Sequence, residues 1–306
     1  MPTFAGTLLV LVAFGLLFAQ QEPARPAATP TPGQNQPHQL ATTPLPSPGP
    51  AALKKQAWDI LENGAKSEKS TDRAFAVGAL GLITNDKQAQ KLAEAALEDS
   101  ASEVRAAAAA ALGEMNAWAS IPKLKSATDD KDPSVALAAA HALLQLHDHA
   151  GYDVYYEILT GERKTGKGIL GEAAILKDKK KLAEMGFQEG IGFIPFAGTG
   201  WDVFKMLSHN DPSPVRAAAA TVLAKDTDPK TTKALVNATG DKNWIVRTAA
   251  LEALAKRGDP SVLDTVQLYL PDEEGGVKFA AAATVVRLTA INEAKTAAGK
   301  RAPKKK

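Results

Sequence analysis

The chain has 306 residues, 45% apolar and 23% charged, enough for a sizeable core built mostly from Ala, Leu and Val because only 6% are aromatic. It contains no cysteine, which excludes disulfides, thiol catalysis, zinc–thiolate sites and a lipidated N-terminal Cys. The net charge of +2 is uneven: the last twelve residues, "KTAAGKRAPKKK", hold six Lys or Arg and no acid, so the remainder is near −4 and offers no broad basic face for nucleic acid.

The first element is Phe4 to Ala19, "FAGTLLVLVAFGLLFA", an uncharged apolar run. A membrane-spanning helix needs roughly 20 such residues, whereas the core of an export signal needs only about 7–15. Ala19 followed by "QQEP" suits cleavage, so residues 1–19 are expected to be a signal peptide, although the n-region "MPT" carries no basic side chain. The expected address is periplasmic or extracellular, with membrane tethering if the signal stays uncleaved. Residues 20–50 follow as an expected disordered linker: nine prolines fall between Glu22 and Pro50. Such composition buries no core and favours extended polyproline conformations, with a reach on the order of 90 Å.

From residue 51 the chain repeats itself. A basic residue opens a helical run at Arg73, Arg105, Arg216, Arg247 and Lys278, with Ala136 in the same place once. The steps are 32, 31, 80, 31 and 31 residues. Seven positions after each anchor stand Leu80, Leu112, Leu143, Leu223, Leu254 and Val285, with small residues such as Ala108 and Ala109 between. That spacing marks one face of a helix, and alanine both favours helix and lets neighbouring helices approach closely. Six positions before the anchors stand Asp99, Asp130, Asn210, Asp241 and Asp272. These suit N-caps, and an Asp and an Arg recurring once per unit can also pair between successive units.

The "D-x5-R" spacing, the "EVRAAAAAALG" and "PVRAAAATVLA" helices and the 31-residue step resemble HEAT-like repeats of the short bacterial type, also found in phycobilisome lyases. The resemblance covers about Gln56 to Ile291. It implies an all-α, right-handed α-solenoid of stacked antiparallel helix pairs, about 31 residues each, with the second helices lining the concave face. It also implies a protein-binding scaffold rather than an enzyme, with bilin-lyase-like chemistry as the remote alternative. Some HEAT-like hydroxylases hold iron through His-Glu pairs, but no histidine here is followed by Glu. No metal and no cofactor is expected. The solenoid is assigned to residues 51–294 and a basic disordered tail to 295–306.

The 80-residue step breaks the period. One degenerate unit fits around Lys167, leaving some eighteen extra residues, an insertion near 177–200. It contains "MGFQEGIGFIPFAGTGW", Met185 to Trp201, whose five glycines oppose a long helix. Phe187, Ile191, Phe193, Phe196 and Trp201 are too apolar for an idle loop, and insertions in repeat proteins often emerge on a binding face. They are the expected contacts to a protein partner, with two alternatives: a plug folded back on the weak repeat, or contact with a membrane surface or lipid, aided by "LKDKKK" and the basic tail. Just upstream, "GERKTGKG" fits a phosphate-binding loop except for Gly168 at the Ser/Thr position, and it sits among helices, so nucleotide binding is not expected. His141, His147 and His149 are expected at a polar helix end, with His141 and His149 sharing a face. Nothing points to a small-molecule substrate.

Overall fold

The structure is a computed structural model that describes residues 49–160 and 212–301. The expected signal, the linker up to residue 48 and the segment 161–211 lie outside it. Among the described residues every element is helical. α1 (Pro50–Ala65), α2 (Ser70–Ala79), α3 (Lys87–Ala96), α4 (Ser102–Glu114), α5 (Ile121–Ala127), α6 (Pro133–Gln145) and α7 (Ala150–Thr160) form the first half. α8 (Ser213–Leu223), α9 (Pro229–Ala238), α10 (Trp244–Arg257), α11 (Leu263–Val266) and α12 (Gly275–Arg301) form the second. α12 continues past residue 294, so the first part of the basic tail, up to Arg301, is helical.

Local chemistry sets the helix ends. Asp86 accepts from the backbone N–H groups of Gln88 and Ala89 at the start of α3, and Asp132, Asp228 and Asn243 do the same for α6, α9 and α10. At the far end of α4, Ala117 N–H donates to Leu112 C=O at 3.0 Å, with Asn116 between them in the left-handed region at φ 58°. α6 ends identically: Asp148 N–H donates to Leu143 C=O at 2.8 Å and His147 has φ 57°. Both closures are Schellman turns.

The alanine stripe does what its spacing implies. Ala108, Ala109, Leu112, Ala139 and Leu143 are fully buried, each leucine contributing about 1.5–3 kcal/mol by leaving water. α2 packs on α4 and α4 on α6, while the outer helices α3 and α5 pack on their own partners. Gly113 shows how close the inner layer runs: a Cβ there would fall 2.9 Å from the Ala142 backbone. In the second half α8 packs on α10 and α10 on α12.

The two halves then join out of chain order. α12 packs against α1 and α2, so the spatial succession of inner helices is α8, α10, α12, α2, α4, α6. Side chains two and three places apart in that succession also meet. Phe75 of α2 meets Trp244 of α10, ring centroids 6.0 Å apart, and Lys256 of α10 pairs with Glu114 of α4 at 3.3 Å. Such contacts require the inner helices to lie on the inside of a curve.

An Arg–Asp ladder runs along the inter-helix loops of each half. Arg73 donates to both carboxylate oxygens of Asp99, each at 2.8 Å, and Arg105 to both of Asp130 at 2.7 and 2.8 Å. Arg216 pairs with Asp241, and Arg247 donates to Asp272 at 3.1 Å. Each of Arg73, Arg105 and Arg247 also donates from Nη1 to two carbonyls of its own loop, as Arg105 does to Asp99 and Ser100. The aspartates are not the N-caps expected from their position. Asp99, Asp130 and Asp241 instead accept the N–H of the cap residue itself, Ala101, Asp132 and Asn243.

The Arg105 and Asp130 side chains are only 7% and 14% exposed. Arg105→Ala is therefore expected to cost about 3 kcal/mol, since it strands a buried carboxylate, and Arg105→Lys to recover little because the fork is lost. Lys55→Ala, at an exposed pair with Asp59, should leave stability essentially unchanged because solvent screens the pair. Urea denaturation of the three variants checks this. The guanidinium hydrogen bonds hold the Asp99 and Asp130 carboxyls below their ordinary range. Their contribution is present above about pH 4 and is lost as pH falls through the lowered values, so Arg105→Ala should flatten the acid limb of stability against pH.

Candidate functional site

Phe187, Ile191, Phe193, Phe196 and Trp201, the contact residues expected from sequence, lie outside the described residues, as do "GERKTGKG" and the weak unit at Lys167. The helices that border this segment are described. On α7, Tyr152, Tyr156 and Leu159 are 62%, 61% and 86% exposed, at the i, i+4, i+7 spacing of one face. On α8, Val215 and Val222 are exposed at i, i+7. These are the two ends of the described succession, and Leu223, an expected core leucine, is only partly buried there. Helical spacing gave no reason to expect exposure, because a core stripe has the same period.

A second constellation lies on the inside of the curve. Thr248, Glu252 and Lys256 line one face of α10 at four-residue intervals. Lys256 reaches Glu114, and Gln145 of α6 donates to Glu114 Oε1 at 3.4 Å, so one carboxylate links α10, α4 and α6. Glu252 lies beneath, 6% exposed, with Oε1 lacking a hydrogen-bond partner. Burial pushes its carboxyl up to about 8; nearby Lys256 opposes the shift and Glu114 adds to it. That shift favours the protonated carboxyl at pH 7. Its burial and its proximity to Glu114 depend on a distant part of the chain, and sequence spacing carried no signal of them.

The histidines do not share a helix. α6 stops at Gln145, His147 takes the left-handed position of the closing turn, and His149 precedes α7. His147 rests near Trp118 and His149 near Tyr152, ring centroids 6.0 and 6.1 Å apart. The expected common face of His141 and His149 fails because the helix closes between them. Among the described residues no three His, Asp or Glu side chains converge as metal ligands would, and no helix is long and apolar enough to cross a membrane.

Helix pairs stacked through alanine faces and tied loop to loop define an all-α repeat protein. The sequence model for HEAT repeats matches residues 92–163 and 202–286, and the chain belongs to the HEAT-repeat family. No curated relative matches it. A solved structure, human deoxyhypusine hydroxylase in complex with glycerol, is similar at 15% identity over 78% of this chain and 88% of that one, with a TM-score of 0.29. That likeness is too low to carry an argument about chemistry.

Glu252 gives a pH prediction whose sign is fixed. A carboxyl raised from 4.5 to about 8 in the folded state contributes fully below pH 4.5, and the contribution declines until pH passes about 8. Glu252→Gln should remove that decline and raise stability at pH 7 by up to about 3 kcal/mol. Thermal unfolding of both proteins between pH 5 and 9 measures it. Equal slopes would mean that Glu252 is not buried as described.

Proposed function

We propose that the protein is an exported, non-catalytic HEAT-repeat scaffold that binds another protein through its concave face and the Gly/Phe-rich insertion. The observation that carries this reading is the pair of exposed apolar faces on α7 and α8. They border a segment whose own sequence is apolar and glycine-rich, so three apolar stretches are consecutive in the chain. Exposed apolar helix faces such as these are a common feature of interaction sites. A non-catalytic role is favoured because Glu252, the described group with the most perturbed titration, is sealed where no substrate reaches it.

Crosslinked pull-down from the native envelope tests the proposal, comparing intact protein with a variant carrying Tyr152→Ser, Tyr156→Ser and Leu159→Ser, and with one changed to Ser at Phe187, Phe193, Phe196 and Trp201. A protein captured by the intact chain and lost from both variants, with circular dichroism unchanged, is the expected outcome. Capture by all three proteins alike would remove these surfaces from the reading. Co-sedimentation with anionic vesicles, lost in the same variants, would transfer them to a membrane surface.

A further inference from the structure

The joint between α12 and α1–α2 is built differently from the joints within each half. Its ladder position is vacant: Lys278 takes the place of the arginine and Ser67 that of the aspartate. Ser67 donates instead to Asp72 of its own half, and Lys278 Nζ lies 5.2 Å from the Phe279 ring centroid beside it. Buried alanines line α2 and α12 as they do the other inner helices, and aromatic rings are added to them around this joint. Phe75 meets Trp244 edge to face, and Phe279 fills the space that a side chain at Gly64 would need, its ring 2.2 Å from where that Cβ would stand. The polar contacts join residues more than two hundred positions apart. Arg287 donates to Leu82 C=O at 2.7 Å and Thr84 Oγ1 at 3.1 Å, and Lys54 pairs with Glu293 at 2.9 Å.

Partly buried aromatic anchors and an arginine that occur once, in place of the recurring ion pair, are features shared with interfaces between separate proteins. We propose that this seam is a docking interface between two separately folded halves, residues 50–160 and 213–301, and that it closes within one chain. Each half carries its own ladder and its own alanine stack, and among the described residues no backbone crosses the seam. The inner face, with its Lys256–Glu114 bridge, exists only while the halves are docked, because that bridge also spans them. Opening the seam would separate α10 from α4 without unfolding either.

The absence of cysteine makes a direct test available in the full chain. Lys54→Cys with Glu293→Cys places a single thiol pair across the seam, to be joined by a short bis-maleimide. The expected product is an internally crosslinked monomer, resolved by its shifted mobility on a denaturing gel. Adding Phe75→Ala and Arg287→Ala, whose contacts described above cross the seam, should slow crosslinking about tenfold while far-ultraviolet circular dichroism stays at the parent level. Arg287→Ala alone, which removes little apolar volume, should slow it about threefold. A crosslinked dimer would overturn closure within one chain. Loss of helical signal together with crosslinking would overturn separate folding, and an unchanged rate in both variants would overturn the seam itself.

Discussion

Close approach of the inner helices is the constraint on which the rest of this structure depends. α2, α4 and α6 touch through alanine and glycine, so their backbones come close, while the outer helices are spaced by longer polar side chains such as Glu94 of α3 and Lys123 of α5. A stack narrower on one side than the other must bend toward the narrow side. That bend brings α10 within reach of α2 and α4, and it is why Glu252 is enclosed rather than solvated. A leucine in place of Ala109 or Ala142 would hold the layers apart and weaken every contact across the curve.

The ladder has a different task. Alanine faces are smooth and nearly alike, so they limit sliding of one pair over the next only weakly. Arg73, Arg105 and Arg247 each bind two carbonyls of their own loop and a carboxylate of the next, which fixes the stagger between units. The aspartates gain a further bond from the following cap residue, leaving few unsatisfied groups in a partly buried ion pair. Where Lys278 and Ser67 interrupt this device, the stagger is set instead by interlocking rings and by Arg287. Repetition and recognition are therefore separate solutions within one chain.

For function, the molecule divides its chemistry by location. Inside the curve Lys256, Glu114 and Gln145 are engaged with one another, and burial raises the neighbouring Glu252 carboxyl to about 8. At the ends of the described succession apolar side chains face solvent.

Much of the fold was legible in the sequence. The recurrence of Arg73, Arg105, Arg216 and Arg247, the leucines seven positions on, and the aspartates 25 or 26 positions on determined helix pairs, their faces and their ion pairs. Those features are local or repeat at one period, and a periodic pattern has essentially one way to stack. The end of α6 was not legible: "ALLQLHDHAG" continues a helical pattern, and only the turn closed through His147 reveals the break. Nor was the seam. Pairing between Lys54 and Glu293, Phe75 and Trp244, or Glu114 and Lys256 leaves no period, because each pair occurs once and spans more than 140 residues. The sequence by itself determined the unit and its neighbour-to-neighbour packing, which depend on spacing. The tertiary structure alone decided that the last unit meets the first, and so which carboxyl is buried, because burial depends on what lies across the curve.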